Sequence, residues 1–156
     1  GVSFSSDGIQ VEVEAPFYAN PRPSAPPGPT ERLWEFEVVE IFFLGDDGRY
    51  LEVELGPFGH YLVLMLEGKR KVQMSLLPIE YRAVLHRDRW RGRALIPKAY
   101  LPEEVVAFNA YAIFEMGGVR NHSALFPLGG DVPDFHRLED FQSPWSKEGT
   151  VHSFRF

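Results

Sequence analysis

Short stretches in which apolar and polar side chains alternate, cut by glycine, proline and aspartate about every ten residues, restrict what this chain can become. A period of two sends successive side chains to opposite faces of a strand, and it cannot form the stripe of an amphipathic helix. Residues 9–14 alternate apolar with mostly acidic positions. Residues 36–44 and 50–55 flank Gly45-Asp46-Asp47-Gly48, a strong hairpin turn. Residues 61–66 form an apolar run suited to a central strand, and 71–76 follow a turn at Gly68. Residues 80–87 and 90–96 read as a second hairpin, and 108–116 and 122–128 as later strands. A terminal strand is predicted over 151–156. One helix is predicted over 97–106, with Pro102 at its start and Glu103-Glu104 in its first turn. The expected fold is therefore all-β, an antiparallel two-sheet β-sandwich with at most one or two short helices.

Six prolines fall between Pro16 and Pro29, a density that removes too many ladder donors for a strand. With so few residues before it, this stretch is expected to be a loop (16–30) inside one domain spanning 1–156. Hydrophobic residues make up 44% of the chain, enough for a packed core, and no apolar run is long enough for a spanning helix. No membrane partner is expected, and oligomeric state is not readable. The sequence contains no cysteine, which removes disulfides, thiolate nucleophiles and cysteine-ligated metals. Together with the lack of a signal-peptide pattern, this predicts a cytoplasmic protein.

The 16 basic residues are outnumbered by 22 acidic ones, giving a net charge of -6 that disfavours a phosphate backbone as partner. Arg87, Arg89, Arg91 and Arg93 around Trp90 form the one basic cluster. Alternate arginines on a strand are expected to pair with carboxylates on a neighbouring strand, so no nucleic acid is predicted. No phosphate-binding glycine loop and no Gly-x-Ser-x-Gly elbow is present.

Strand parity points to a polar face instead. Val39, Ile41, Phe43, Leu51, Val53 and Leu55 share the apolar side of their hairpin, which sends Glu40, Glu52 and Glu54 to the other side. Arg91, Arg93, Asn109 and Tyr111 have the same non-core parity on their own strands. Trp34 and Trp145 lie beside loops, whereas Trp90 is expected to pack with Ala94 and Ile96. Sugars are held by aromatic rings over C–H faces and by charged or amide side chains that hydrogen-bond hydroxyls. The predicted ligand set is Trp34, Glu40, Glu52, Arg91, Arg93, Asn109, Tyr111 and Trp145, with a small carbohydrate or polyol as partner. An enzyme acting on a polyhydroxylated metabolite is the alternative, with Glu40, Glu52 and His136 as acid/base groups and Asp134 orienting the imidazole. Binding without turnover is the favoured reading.

No cofactor or metal is predicted. Calcium at Asp46-Asp47 with Asp131 or Asp134 is a weaker reading than hairpin-turn chemistry. A haem-binding sandwich would need Met65 or Met74 with His122 or His136, and those methionines are expected to fill the core. A structural interaction domain using the proline loop or an edge strand completes the alternatives.

Ala15-Pro16-Phe17, Leu33-Trp34, Glu37-Val38-Val39-Glu40, Tyr50-Leu51-Glu52-Val53-Glu54-Leu55, Ala124-Leu125-Phe126-Pro127 and Pro133-Asp134-Phe135-His136 occur in order. Through these segments the chain resembles an uncharacterised family whose human member is named for a chromosome 4 open reading frame. The likeness covers about Ala15 to Phe141. Trp34 to Phe42, Tyr50 to Val53, Trp90 to Pro97, Phe108-Asn109 and Phe135 to Leu138 are similar, more distantly, to carbohydrate-binding module family 9. That resemblance implies a β-sandwich whose ligand, a sugar end in the binding members, sits against one sheet and its loops between aromatic rings.

Overall fold

The alternating segments become eleven strands in a computed structural model, which describes residues 1–127, 129 and 133–143. They are β1 (Val2–Phe4), β2 (Gly8–Pro16), β3 (Gly28–Pro29), β4 (Val38–Gly45), β5 (Arg49–Leu55), β6 (His60–Glu67), β7 (Val72–Met74), β8 (Glu80–His86), β9 (Arg89–Pro97), β10 (Val105–Met116) and β11 (Val119–Ala124). Two sheets result. One has the order β1-β2-β9-β8, and the other β11-β10-β4-β5-β6-β3, with β7 also paired to β6. Every pairing is antiparallel except β3 with β6. The β-sandwich expected from the sequence is the fold observed. Among the described residues no helix is long and apolar enough to cross a membrane.

The main core lies between the sheets. Ile9, Val11, Val13, Trp90, Ala94 and Ile96 meet Val39, Ile41, Phe43, Leu51, Val53 and Leu55 there. On the outer face of the smaller sheet, polar residues of β2 and β9 alternate outward, as period two requires. The larger sheet differs, because its second face is buried as well. Phe42, Tyr50, Leu62, Leu64, Leu66, Tyr111 and Ile113 pack there against Leu33 and Phe141. The cover comes from a short 3₁₀ turn, Leu33–Glu35, and from residues 133–141, which include a second such turn at Leu138–Asp140.

The helix expected over 97–106 does not form. A single 3₁₀ turn occupies Lys98–Tyr100, and Leu101 is extended (φ −76°, ψ 149°). The ring of Pro102 disfavours the helical region for the residue before it, and the β-branched Val105 and Val106 are drawn into β10. The proline-rich loop is pinned rather than loose. The backbone N–H groups of Tyr18 and Asn20 donate to the Glu37 carboxylate at 3.1 and 3.3 Å, and Tyr18 stacks on Phe114. The predicted strand over 151–156 lies outside the described residues.

Candidate functional site

Register places three carboxyls side by side on the second face of the larger sheet. Glu40 on β4 lies directly opposite Glu54 on β5, and Glu52 is two residues along β5 on the same side. All three are buried, at 3%, 4% and 0% exposure for Glu40, Glu52 and Glu54. One oxygen from each can be chosen so that all lie within 4.8 Å of one another. The sequence placed these side chains on an open face; the cover from residues 33–35 and 133–141 closes it.

Burial raises the pKa of all three carboxyls. The Glu52 charge adds to this at Glu40, against the pull of Arg120. Glu54 is raised further by Glu40 and Glu52, while at Glu52 the contact with the Glu54 carboxyl and then Arg70 moderate the rise. Glu52 Oε2 and both Glu54 oxygens have no hydrogen-bond partner. The Trp34 amide favours the Glu54 carboxylate but falls short of hydrogen-bond geometry.

Above the carboxyls a cavity of about 510 Å³ opens to solvent. Glu40, Glu52 and His136 line it together with Trp34, Arg70, Arg120, Asn121 and His122. Leu64, Leu66, Val72, Ile113, Pro133 and Phe135 give it apolar walls. Trp34, 40% exposed, stands at its edge, anchored by Arg120, which donates to the Trp34 and Glu35 carbonyls.

His136 is held by a chain of hydrogen bonds. The Arg70 backbone N–H donates to the Tyr50 hydroxyl at 2.8 Å, and that hydroxyl lies 2.8 Å from His136 Nδ1. With the oxygen accepting from Arg70, its own proton is free for Nδ1, so the network assigns the imidazole proton to Nε2. Nε2 faces Glu52 Oε2 at 3.9 Å. Burial and the nearby Arg70 push the imidazole down to about 4, so it is neutral near pH 7. Phe42 meets His136 edge-on at 5.4 Å, and Phe135 stacks on Tyr111 at 4.3 Å.

Asp134 does not contact the imidazole. It accepts from the His136 backbone N–H at 3.1 Å and pairs with Lys69 and Arg70 at 2.6 and 2.7 Å. It thereby ties the covering segment to the turn after β6. Burial alone would raise the Asp134 carboxyl, but these hydrogen bonds outweigh it and hold it well below the ordinary range. A depressed carboxyl stabilises the fold fully above its unfolded pKa, about 3.9, and less as pH falls through its folded value. Asp134→Asn is expected to cost about 1 kcal/mol at pH 7, the exposure of Lys69 and Arg70 limiting it. The gap in unfolding midpoint from the parent should shrink steadily below about pH 4. A gap that is constant down to pH 2 would contradict this role.

The other expected residues lie elsewhere or play other parts. Arg91 and Arg93 are on β9 of the smaller sheet, exposed, and paired with Glu14 and Glu12. They do not reach the cavity. Asn109 is buried and its amide is used up: Nδ2 donates to the Phe126 carbonyl, and Oδ1 accepts from the Phe126 and Ala110 N–H groups. Tyr111 lies opposite Glu40 and forms part of the cavity's bed rather than its lining. Trp145 and Asp131 lie outside the described residues. Asp47 is engaged by Arg49, so the hairpin turn accounts for it. Met65 packs against the core between the sheets, on the face away from His136, and Met74 is 52% exposed. Neither methionine lines the cavity.

Arg70, Arg120, Asn121 and Tyr50 were missed. Arg70 and Arg120 follow glycine turns, where sequence periodicity carries no direction. The one available signal was the run 61–66, apolar on both faces, which marks a doubly covered strand.

No family model matches the chain. A solved structure from Bacteroides uniformis, described as that of a candidate carbohydrate-binding protein, superposes with a TM-score of 0.68 at 16% identity. It covers 90% of this chain and 74% of that one, a likeness of fold. The Danio rerio UPF0462 protein C4orf33 homolog is 43% identical over 145 residues, 87% of this chain and 74% of the relative. The Homo sapiens UPF0462 protein C4orf33 is 42% identical over 145 residues, 87% of this chain and 73% of the relative. At that identity over most of its length, the chain belongs to the UPF0462 family.

Proposed function

We propose that this chain binds a small sugar or polyol in the cavity above Glu40 and Glu52. The observation that carries the reading is the mixture of groups lining one hollow of about 510 Å³. Sugar hydroxyls both donate and accept. Arg70, Arg120, Asn121 and His136 Nε2–H offer donors, and Glu40 and Glu52 offer acceptors. The Trp34 ring and the Leu64, Ile113 and Phe135 side chains suit the C–H faces. The volume falls in the usual range for small-molecule sites, about 300–1,000 Å³. The description of the Bacteroides uniformis protein agrees with this class of ligand.

One stacked ring and three or four hydrogen bonds to charged groups give a net of about 4–6 kcal/mol, a Kd of roughly 1 mM to 40 µM. Calorimetric titration with a panel of mono- and disaccharides and linear polyols should find at least one ligand in that range. No heat from any of them at 20 mM would remove the proposal. A second reading, turnover of the same class of ligand, draws on the closeness of His136 Nε2 to Glu52. Chromatography of the recovered ligand separates the two: unchanged ligand is expected, and conversion would favour the enzyme.

A further inference from the structure

The floor of the cavity and the layer beneath it hold three carboxyls that no lysine or arginine of the described residues pairs with directly. Glu40, Glu52 and Glu54 bring oxygens within 4.8 Å of one another, and like charges so close repel. No lysine or arginine of the described residues forms an ion pair with any of them. The one contact of that kind is His136 Nε2 at 3.9 Å from Glu52, and the Tyr50 network leaves that imidazole neutral.

A separate observation points to a missing partner. Glu54 is fully buried and its carboxyl lies against that of Glu52, another acid; among the described residues no cation or N–H group in hydrogen-bond geometry meets either Glu54 oxygen or Glu52 Oε2. Buried carboxylate oxygens in that state are costly unless something positive meets them. We infer that Glu40, Glu52 and Glu54 form a binding site for one hard divalent cation of calcium's size.

The chemistry of the donor set selects the ion. Three carboxylates without a thiolate suit an oxygen-seeking cation rather than zinc. Calcium–oxygen bonds of about 2.3–2.6 Å let two ligand oxygens stand up to about 5 Å apart across the ion. Oxygens within 4.8 Å of one another fall inside the span calcium bridges, and its flexible coordination accepts an irregular set of carboxylates that magnesium's strict octahedron does not. Glu40 and Glu52 line the cavity, which supplies the route of entry, and Glu54 closes the site beneath. Remaining coordination positions face the cavity, where water or a ligand hydroxyl can fill them. The rival account neutralises the cluster with protons, Glu54 donating to Glu52.

The test uses the whole chain stripped with EDTA and titrated calorimetrically with CaCl₂ or MgCl₂ at pH 7.5, without sugar. One Ca²⁺ per chain should bind with a Kd below about 100 µM, at least tenfold tighter than Mg²⁺. The unfolding midpoint should rise by at least about 4 °C in 10 mM CaCl₂. Glu54→Gln and Glu40→Gln keep the side-chain shape; each should weaken uptake at least tenfold and cut the rise in midpoint to about half or less. No uptake by the parent protein, uptake that both variants leave intact, or tighter uptake of Mg²⁺ would overturn the inference. It stands apart from the sugar reading. Sugar binding unaffected by EDTA, with no calcium uptake, sinks the cation alone; calcium uptake with no sugar bound removes the sugar alone.

Discussion

Replacing Phe42 with alanine is expected to lower the unfolding midpoint by about 6–20 °C, the largest stability effect foreseen for a residue at the site. The ring is fully buried on β4, with Tyr50, Tyr111, His136 and Phe141 around it at 5.4–6.4 Å between centroids. Removing a buried phenyl ring costs about 3–5 kcal/mol through lost transfer energy and the void left behind. For a chain of this size each kcal/mol lowers the midpoint by about 2–4 °C. The void would open beneath His136 and Phe141, both in the segment that covers the carboxyls. Differential scanning calorimetry reads the shift. Loss of ligand binding should accompany it at temperatures where the variant is still folded, because the wall of the cavity rests on this ring. A shift below about 3 °C would mean that residues 133–141 are not seated as described.

Trp34→Ala should have the opposite profile, a large effect on binding and a small one on stability. The indole is 40% exposed and stands at the edge of the cavity, so its removal leaves no buried void. Covering one sugar face is worth about 1.4–2.8 kcal/mol, so affinity should fall about ten- to hundredfold. Calorimetry on the best ligand of the panel checks this, with the unfolding midpoint moving by less than about 3 °C. Affinity within threefold of the parent would show that the ring does not stack on the ligand.

Much of this arrangement was legible in the sequence, for a physical reason. Alternation fixes which side of its own strand a residue takes, so Glu40, Glu52 and Glu54 could be sent away from the main core before any coordinates. Alternation does not say to which sheet a strand belongs. Arg91 and Arg93 had the same outward parity as Glu40, but β9 joined the smaller sheet, and Glu12 and Glu14 opposite them took the guanidinium groups. Nor does it say what lies above a face. The cover over Glu52 comes from His136 and Phe135, more than eighty residues further along the chain, and no local pattern reports such a contact. Asn109 shows a third limit: its amide suited a ligand but is spent on the backbone of Phe126, which fastens the segment after β11 to the sheet.

The same cover gives the site its chemistry. Left in water, three carboxyls would be ordinary surface acids; under residues 33–35 and 133–141 they become groups whose charge must be met by protons, a cation or ligand hydroxyls. Arg70 links the cover to the sheet through Tyr50 and Asp134, and its side chain also lines the cavity. Arg120 likewise holds Trp34 and faces the same space. A ligand touching both arginines would therefore bear on the two segments that enclose it.

Nuclear magnetic resonance of the indole N–H groups, recorded while the best ligand of the panel is added, tests the central claim most directly. Trp34 lines the cavity, and Trp90 is buried between the sheets on the other side of the larger one. The account predicts a saturable shift of the Trp34 indole resonance and of the His136 ring protons, with the Trp90 resonance unmoved. A shift confined to Trp90 or to residues of β8 and β9, with Trp34 and His136 unaffected at saturation, would contradict it.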